Sequence, residues 1–518
     1  MKFKRFTLIL VLIMPIFFYL NTPLTFSLTE SLKAKIPHIE FVRNQFFRLF
    51  DSLNPFFGKF LSDDLNLTEV NISINHKNFK SIQRSIRKSE EDLTYLDLPY
   101  MSSINNPWVK AKFSIDGEDY KGKLRLHGND SIHYRNNQKS LAVKLSKEKL
   151  YKNMRRFSLI ITQEASIASM LSYKVQEILY GFKVHTEFIR LSINGVNQGI
   201  FFIEEKLSKE LLEKNGMSGV DVVRPLDEWN HQYQSLHLTP YNWSAANTKV
   251  RSFSKKDIGQ LFLYKKIYET DDINFIKSKI NLNETSKTEA LRFLFGNNES
   301  GDNQKLLYTT FNGRFSRFFR PENQIRPLPI SSNSSINSWI YRVEDKISKN
   351  NLFIRLIRNN KFREMRDKEL WKILLSELKI IKLSNEIFNN FKDTILKDSN
   401  TYTSSKSIIY NELNKISVLH ENFRKIRKYL STNFSITKIN NQEGEEYFSF
   451  KNLSNVPLTI INGAYEETVH INLDDNLNAI KSEILISRKE LGSKNRESSG
   501  THFKIINTIT GEELDYEI

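Results

Sequence analysis

Cysteine is absent from all 518 residues of the chain. Without a thiol, the protein has no disulfide framework, no zinc–thiolate site and no cysteine nucleophile. The ten histidines show no paired spacing of the kind that binds a metal ion. The sequence also lacks the GxSxG, HExxH and P-loop motifs. These absences exclude thiol chemistry and leave the common serine-hydrolase and zinc-protease motifs unrepresented.

Acidic residues are outnumbered by basic ones, so the formal net charge is +17 and the isoelectric point is near 9.5. This excess favours polyanionic neighbours such as anionic lipid, phosphorylated polymers or nucleic acid, although solvated surface lysines give the same balance. The chain is globular in character, with 39% hydrophobic and 12% aromatic residues. Its length corresponds to about three domains of ~150 residues.

The N-terminus has the pattern of an export segment. Lys2, Lys4 and Arg5 precede a mostly apolar run over residues 6–20. A positive region followed by an apolar one is typical of a signal sequence, and the run is close in length to a short membrane span. We expect an uncleaved signal anchor with a cytoplasmic N-terminus, and a cleaved signal peptide is the alternative. Both predict an extracytoplasmic protein, which argues against nucleic acid as a partner.

The strongest chemical signal is residues 121–145, which read KGKLRLHGNDSIHYRNNQKSLAVKL. Both ends alternate apolar and polar residues like half-buried strands, and a polar connection containing Gly128 joins them. Glycine lets backbone N–H groups approach phosphate oxygens, and a lysine on a rigid strand supplies a fixed positive charge. Lys144 is placed like the lysine of the V-A-I-K strand of protein kinases. A hairpin with outward-facing lysines is the alternative interpretation.

Two motifs resemble those of the spore-coat protein H (CotH) kinase family, a group of extracytoplasmic kinase-like proteins. The run RLHGNDS…NNQKSLAVKL is similar to the family's RGNSS…KKSYRIKL signature, and SINGVNQGIFFIEE, residues 192–205, is similar to its NGexxGxYxLxE motif. Further along the chain, residues 356–375 resemble the family's rLlxnpxFRxxY segment. The resemblance extends over roughly residues 95–430.

The resemblance implies a protein that binds ATP with Mg²⁺ or Mn²⁺. The cofactor-binding residues that it implies are Lys144, Lys139, Arg125, Gly128 and Glu205. Lys144 is expected at the nucleotide phosphates, and Glu205 is expected to fix a lysine or to meet the nucleotide. In a regular strand Glu204 points the opposite way, so only one of the two glutamates faces the site.

The family's motif for the catalytic aspartate is only partly present. Its GxxDxxxxN stretch fits residues 296–303, with Asn303 as a metal ligand and with the aspartate position on Asn298 or Glu299. Asp302 stands just before the asparagine. The resemblance therefore implies Glu299 or Asp302 as the catalytic carboxylate.

The family's later PWDxD motif is replaced by PLPISSN, residues 327–333. Ser331 and Asn333 stand where the family has carboxylates, and Asn333 is the remaining candidate metal ligand. Mg²⁺ prefers hard anionic oxygens, so this replacement removes the family's principal metal ligand.

Hydrophobic periodicity predicts an α+β protein. A β-rich layer begins at residue 109, with turns at Asp116-Gly117 and Asn194-Gly195, and residues 166–180 place their apolar side chains on one helical face. Amphipathic helices follow over residues 352–397 and 405–431, and strand-like alternation returns from Glu446. By resemblance, the β-rich and helical parts form the N-lobe and C-lobe of a two-lobed kinase-like domain, and the C-terminal part is a separate all-β domain.

The predicted divisions are a signal anchor or signal peptide (1–30), a juxtamembrane segment (31–90), a CotH-like kinase core (91–345), a helical extension of the core (346–435) and a C-terminal β-sandwich-like domain (436–518).

Two functions follow from the resemblance and its departures. The first is a membrane-anchored, extracytoplasmic kinase that transfers phosphate from ATP to Ser or Thr of an envelope or coat protein. The alternative is a catalytically impaired pseudokinase that acts as a scaffold in cell-envelope or polysaccharide assembly and binds protein, anionic polysaccharide or a lipid surface. A third, carbohydrate-binding interpretation rests on the aromatic residues between positions 229 and 243.

Overall fold

The structure is a computed structural model, and it describes only part of the chain. The described residues are 67–96, 106–128, 133, 138–162, 167–218, 221–225, 243–245, 263, 266–267, 270, 272–297, 305–308, 314–319, 325–329, 337, 340, 352–396, 405–463, 465–474, 477, 479–491 and 501–518.

The described part of the chain contains both helices and strands. Its nine helices are α1 (His76–Leu96), α2 (Ile167–Tyr180), α3 (Lys209–Lys214), α4 (Ile273–Lys279), α5 (Leu282–Leu294), α6 (Leu352–Arg358), α7 (Asn360–Leu375), α8 (Glu377–Leu396) and α9 (Ser405–Leu430). The first eleven strands are β1 (Thr68–Ser73), β2 (Val109–Ile115), β3 (Glu118–Leu126), β4 (Leu141–Leu145), β5 (Arg156–Ile161), β6 (Thr186–Ile193), β7 (Val196–Glu205), β8 (Asp221–Pro225), β9 (Trp243–Ala245), β10 (Lys305–Tyr308) and β11 (Phe315–Phe318). Nine more follow: β12 (Phe434–Asn440), β13 (Glu446–Asn452), β14 (Leu458–Asn462), β15 (Tyr465–Val469), β16 (Asn472–Leu473), β17 (Ala479–Ile480), β18 (Ser482–Ser487), β19 (His502–Asn507) and β20 (Glu513–Glu517). The mixed α and β composition predicted from periodicity is confirmed.

The described chain divides into two compact units. One takes in Met1–Ser218 and Leu383–Ile416, and the other takes in Gly219–Lys382 and Ser417–Ile518. The predicted domain boundaries and the two-lobed kinase-like arrangement stay predictions.

The first unit is built on a closed barrel of seven strands in the order β1-β2-β3-β4-β5-β7-β6. Neighbouring strands are antiparallel, except that β1 and β6 are parallel where they close the barrel. Alternation along each strand fills the interior: in β2, Phe113 is buried whereas Lys110 and Lys112 are exposed. Phe157 and Phe201 pack in the same core. In β2 the lysines therefore point to the outside of the barrel.

Two tight turns hold β1 in place. Asp116-Gly117 joins β2 to β3 and Asn194-Gly195 joins β6 to β7, and all four residues have positive φ angles, as hairpin turns of this composition require. The Asp116 carboxylate accepts a hydrogen bond from the Glu69 backbone N–H at 3.1 Å. The Asn194 side chain exchanges two hydrogen bonds, of 2.8 and 3.0 Å, with the Ile74 backbone. Both predicted turns are confirmed, and their side chains clamp the two ends of the closing strand.

The second unit contains helices, a four-stranded sheet in the order β11-β10-β8-β9 and, near the C-terminus, the two-stranded sheet β16-β17 and two larger β-sheets. In the helical part the fully buried Arg366 donates to Asp367, Asn337 and Tyr429 and lies 4.5 Å from the ring centre of Phe293. The two sheets have the strand orders β12-β13-β18 and β15-β14-β19-β20. Phe448 of one sheet meets Phe503 of the other with ring centres 5.3 Å apart, so the sheets pack face to face.

Candidate anion-binding groove

A row of basic side chains crosses four neighbouring strands of the barrel. Lys110 on β2 lies opposite Lys123 on β3, Lys123 lies opposite Lys144 on β4, and Lys144 lies opposite Arg156 on β5. Neighbouring strands are about 4.7–4.9 Å apart, so the row places one cation on each successive strand. Its direction is across the strands rather than along any one of them.

The outward direction of this row follows from the sequence of the strands. In β4 the apolar residues Leu141, Val143 and Leu145 are buried in the barrel. Lys144 alternates with them and therefore points to the outside. The alternative interpretation of this stretch, a hairpin with outward lysines, describes its geometry correctly.

The row borders a groove of about 870 Å³ on the outside of the barrel. The basic residues that line it are Lys110, Lys112, Lys121, Lys123, Lys144 and Arg155. No aspartate or glutamate among the described residues lines it. Backbone and small polar groups from the end of β1 and from Asn194 form the rest of the wall. A groove of this composition is suited to an anion that carries several charges.

Lys144 is half-buried among other cations. Burial lowers the pKa of its ammonium group below the ordinary 10.5, and the positive charges of Arg156, Arg155 and Lys123 lower it further. Glu210 opposes this shift, but its carboxylate lies 3.7 Å from the Arg155 guanidinium and pairs with it. A bound anion beside Lys144 would stabilise its charged form.

Glu205 lies on the other side of the barrel wall from this row. It shares the inward face of β7 with Phe201 and Ile203, and its side chain is completely buried. It forms an ion pair with Lys214 of α3 and accepts a hydrogen bond from the His185 backbone N–H at 3.0 Å. Glu205 therefore pairs with Lys214, and its expected role at the nucleotide stays a prediction.

Glu204 takes the opposite face of β7, as the strand alternation predicts. Its carboxylate lies 2.7 Å from the Lys206 ammonium group, and Tyr173 of α2 donates to it at 3.4 Å. Neither glutamate of this motif lines the groove.

The other residues expected at the nucleotide lie in and beside the connection between β3 and β4. The Arg125 guanidinium stacks over the Trp108 ring at 4.9 Å, and Lys139 is half-buried at the end of the connection. Gly128 has a φ of +78°, and a Cβ there would lie 2.1 Å from the His133 ring. Packing against His133 thus accounts for this glycine. The structure does not place Lys139, Arg125 or Gly128 in the groove lining.

The candidate catalytic and metal-binding residues of the second unit, Asp302, Glu299, Asn303 and Asn333, lie outside the described residues. The chain segments that precede residues 299–303 and Asn333 are described, and these two segments run side by side. The Arg326 N–H donates to the Phe295 carbonyl at 3.0 Å, and a Cβ on Gly296 would lie 2.1 Å from the Arg326 carbonyl oxygen. The two degenerate motifs therefore start from neighbouring backbone.

A buried asparagine that was not predicted from the sequence connects these two segments. The Asn422 side-chain amide of α9 donates to the Leu294 and Arg326 carbonyls at 2.9 Å each. Its oxygen accepts from the Leu328 N–H at 2.9 Å. Nothing in the local sequence marks Asn422, because its partners lie about a hundred residues away.

A second polar cluster that sequence reasoning missed lies at one end of the barrel. Glu187 accepts from the Tyr151 hydroxyl at 2.8 Å and from the Lys152 ammonium at 2.7 Å, and its carboxylate is 2.9 Å from His185 Nε2. Burial would raise the pKa of Glu187, but hydrogen bonds from His185, Lys152 and Tyr151 outweigh burial and lower it to about 2. The hydrogen-bond donors of the cluster therefore offset the cost of burying the Glu187 carboxylate and keep it ionised.

Two features are absent from the described residues. They contain no group of three or more histidine or acidic side chains arranged to hold a metal ion. Among the same residues, no helix combines the length and apolar character needed to cross a membrane. The predicted signal segment, residues 1–30, and most of the aromatic stretch between positions 229 and 243 lie outside this part of the chain.

No family model matches the chain, and no curated protein matches it. The resemblance to the CotH kinase family stays a prediction.

Proposed function

We propose that the protein is an extracytoplasmic CotH-like kinase that holds the phosphates of ATP in the groove beside Lys144 and transfers phosphate to Ser or Thr of an envelope or coat protein. The observation that supports it is the groove itself, which has six basic side chains and no acidic one among its described lining. Its volume of about 870 Å³ falls within the range of about 300–1,000 Å³ of small-molecule sites.

Phosphoryl transfer depends mainly on positioning and on neutralisation of phosphate charge. Lys144 is fixed on β4 between two ladder partners, Lys123 and Arg156, so its ammonium group is held without a flexible loop. Arg155 also lines the groove, and its guanidinium, although it pairs with Glu210 at 3.7 Å, has further N–H groups that can bind a phosphate oxygen. These residues bind and orient the nucleotide, and the reacting hydroxyl requires a carboxylate from elsewhere, for which Glu299 and Asp302 are the candidates.

The described lining of the groove does not fit Mg²⁺ or Mn²⁺. Both ions prefer anionic oxygen ligands, whereas the charged side chains described in the groove are all cationic. The candidate ligands Asn303 and Asn333 offer only neutral amide oxygens.

The alternative, a pseudokinase that acts as a scaffold in envelope or polysaccharide assembly, draws on a different observation. Glu205 is buried against Lys214, on the face of the wall opposite to Lys144. The lysine–glutamate pair that positions nucleotide phosphates in protein kinases is therefore not formed by these two residues. In this alternative the groove binds an anion without turnover.

A labelled-phosphate assay separates the two functions. The whole chain would be incubated with γ-labelled ATP and an envelope-protein fraction, and nucleotide binding would be measured on the same samples. Transfer that is lost in Lys144→Ala and in Glu299→Gln or Asp302→Asn, but kept in the exposed-helix control Lys379→Ala, supports the kinase. ATP binding without transfer supports the scaffold. Absence of ATP binding contradicts the nucleotide site itself.

A further inference from the structure

Four lysines form a square on the outer face of β2 and β3. Lys110 lies directly opposite Lys123, and Lys112 lies directly opposite Lys121. All four side chains are exposed, and all four line the groove. We call this arrangement the lysine square.

The lysine square is unfavourable for the isolated fold. Like charges directly opposite one another in neighbouring strands are destabilising. No carboxylate of the described residues forms an ion pair with any of the four lysines, whereas several other exposed lysines of the first unit have one. Examples are the pairs Lys149–Glu118, Lys152–Glu187, Lys174–Glu177 and Lys209–Glu213. The charge of the square is therefore left for a ligand from outside the described chain.

The position of the lysine square indicates how long that ligand is. The square occupies β2 and β3, and Lys144 and Arg156 continue the basic row over β4 and β5. Arg156 does not line the groove, so the lining cations of the row run from Lys110 to Lys144, two strand spacings of about 4.7–4.9 Å apart. Lys112 and Lys121 lie two residues, about 6.6–6.8 Å, along the strands from this row. A triphosphate group beside Lys144 does not reach the far corner of the square, whereas a chain with repeated negative charges does.

The shape of the site favours a chain over a membrane surface. The lysines line a groove, with Ser73 and Asn75 from the end of β1 in its wall. A flat lipid surface contacts protruding side chains, and membrane-binding faces combine lysines with exposed apolar residues. The side chains that alternate with these lysines on β2 and β3, such as Phe113 and Leu124, are buried in the barrel.

We propose that the lysine square binds a linear polymer with repeated phosphate groups, of the polyphosphate or phosphodiester class. Each phosphate lies between two lysines that face each other across β2 and β3. This goes beyond the proposed function, because the polymer is bound without a nucleotide and without phosphate transfer. It also gives the exported protein a class of ligand suited to its net charge of +17.

The test uses a charge reversal that the fold tolerates. In Lys110→Glu with Lys112→Glu, each new carboxylate faces a lysine of β3, so like-charge pairs are replaced by opposite-charge pairs. The matched control is Lys379→Glu with Lys382→Glu, because these exposed lysines of α8 undergo the same change in net charge. Thermal melting of each variant verifies that it is folded.

Binding of long-chain inorganic polyphosphate, of tripolyphosphate and of phosphatidylglycerol vesicles is measured over a series of salt concentrations. We expect the long chain to bind more tightly than tripolyphosphate, and the β2 variant to weaken its binding about tenfold or more. The slope of log affinity against log salt decreases by about two in that variant. The α8 control keeps the affinity of the wild type.

Three results would overturn the proposal: equal polyphosphate affinity in the wild type and the β2 variant, equal losses in the β2 variant and the α8 control, or vesicle binding that depends on the lysine square when polyphosphate binding does not. ATP binding by the wild type and by Lys144→Ala is measured in parallel. Polyphosphate binding that depends on the lysine square, together with no ATP binding by the wild type, contradicts the kinase only. ATP binding that depends on Lys144, together with polyphosphate binding that does not depend on the square, contradicts the lysine square only.

Discussion

Lys123 and Lys144 face each other across the β3–β4 strand pair, although like charges in this position repel. The same row continues to Lys110 on one side and to Arg156 on the other. An anion bound in the groove beside this row would offset the repulsion.

Lys123→Glu should raise stability and weaken nucleotide binding at the same time. The new carboxylate faces Lys110 and Lys144, so two like-charge contacts become attractive, each by roughly 0.2–1 kcal/mol. The same carboxylate repels phosphate from the groove. Melting temperature and ATP affinity, measured against the control Lys379→Glu, should move in opposite directions. A loss of both would indicate that Lys123 has a structural role that the geometry does not show.

Lys144 should lose its proton at a lower pH than an ordinary lysine. Burial and the neighbouring Arg156, Arg155 and Lys123 all lower its pKa below 10.5. Because the folded-state pKa is lowered, its charge costs stability below that pKa, and the cost disappears as the pH rises toward 10.5. Amine NMR of selectively labelled lysine follows the titration directly. Saturating ATP should raise the pKa of Lys144, and a titration unchanged by ATP would contradict phosphate binding there.

Glu187→Gln should destabilise the first unit near neutral pH and have little effect in strong acid. The pKa of Glu187 is about 2 in the folded protein, against an ordinary 4.5. Its contribution is therefore present above pH 4.5 and is lost as the pH falls through about 2, with a size of about 2 kcal/mol. Unfolding curves of both proteins at several pH values test this. A difference that persists unchanged at pH 2 would contradict the ionised cluster.

Gly296→Ala should disturb the backbone segment that precedes the candidate catalytic residues. The added Cβ would lie 2.1 Å from the Arg326 carbonyl oxygen, and the φ of Gly296 is +62°. Gly463→Ala is a matched control, because Gly463 has a φ of +59° with no atom within 4 Å of an added Cβ. Both variants carry the backbone cost of about 1 kcal/mol.

The clash with the Arg326 carbonyl should destabilise Gly296→Ala beyond the backbone cost that both variants share. The melting temperature should therefore fall further in Gly296→Ala than in Gly463→Ala. If residues 296–303 supply the catalytic carboxylate, Gly296→Ala also reduces phosphate transfer while ATP affinity at the groove is kept. Equal melting temperatures for the two variants would contradict the close contact with Arg326.

Much of the barrel could be predicted from local sequence, because alternation and turn composition are local signals. The Asp116-Gly117 and Asn194-Gly195 turns are examples, and the helix predicted over residues 166–180 is α2, Ile167–Tyr180. Closure of the barrel could not be predicted. It depends on the parallel pairing of β1 with β6, residues about 120 positions apart, and no periodicity within either strand encodes that partner.

The candidate site shows the same division between local and distant information. Lys144 could be identified from its strand and its resemblance, and the structure places it in the groove. The lysines of β2 and β3 carried a local signal as well, since VKAKF and YKGKL alternate lysine with mostly buried positions on both sides of one turn. The pairing of Glu205 with Lys214 could not be predicted, because it depends on where α3 packs rather than on the motif that contains the glutamate.

The most direct test of the groove is the change in melting temperature of the whole chain on addition of ATP, in the wild type, in Lys144→Ala and in Lys379→Ala. A ligand that binds only the folded state stabilises it by about 2.7 kcal/mol at a concentration a hundredfold above its Kd. We expect a clear rise for the wild type and for Lys379→Ala, and a much smaller rise for Lys144→Ala. Equal rises in all three proteins, or no rise in the wild type at millimolar ATP, would contradict a phosphate site at Lys144.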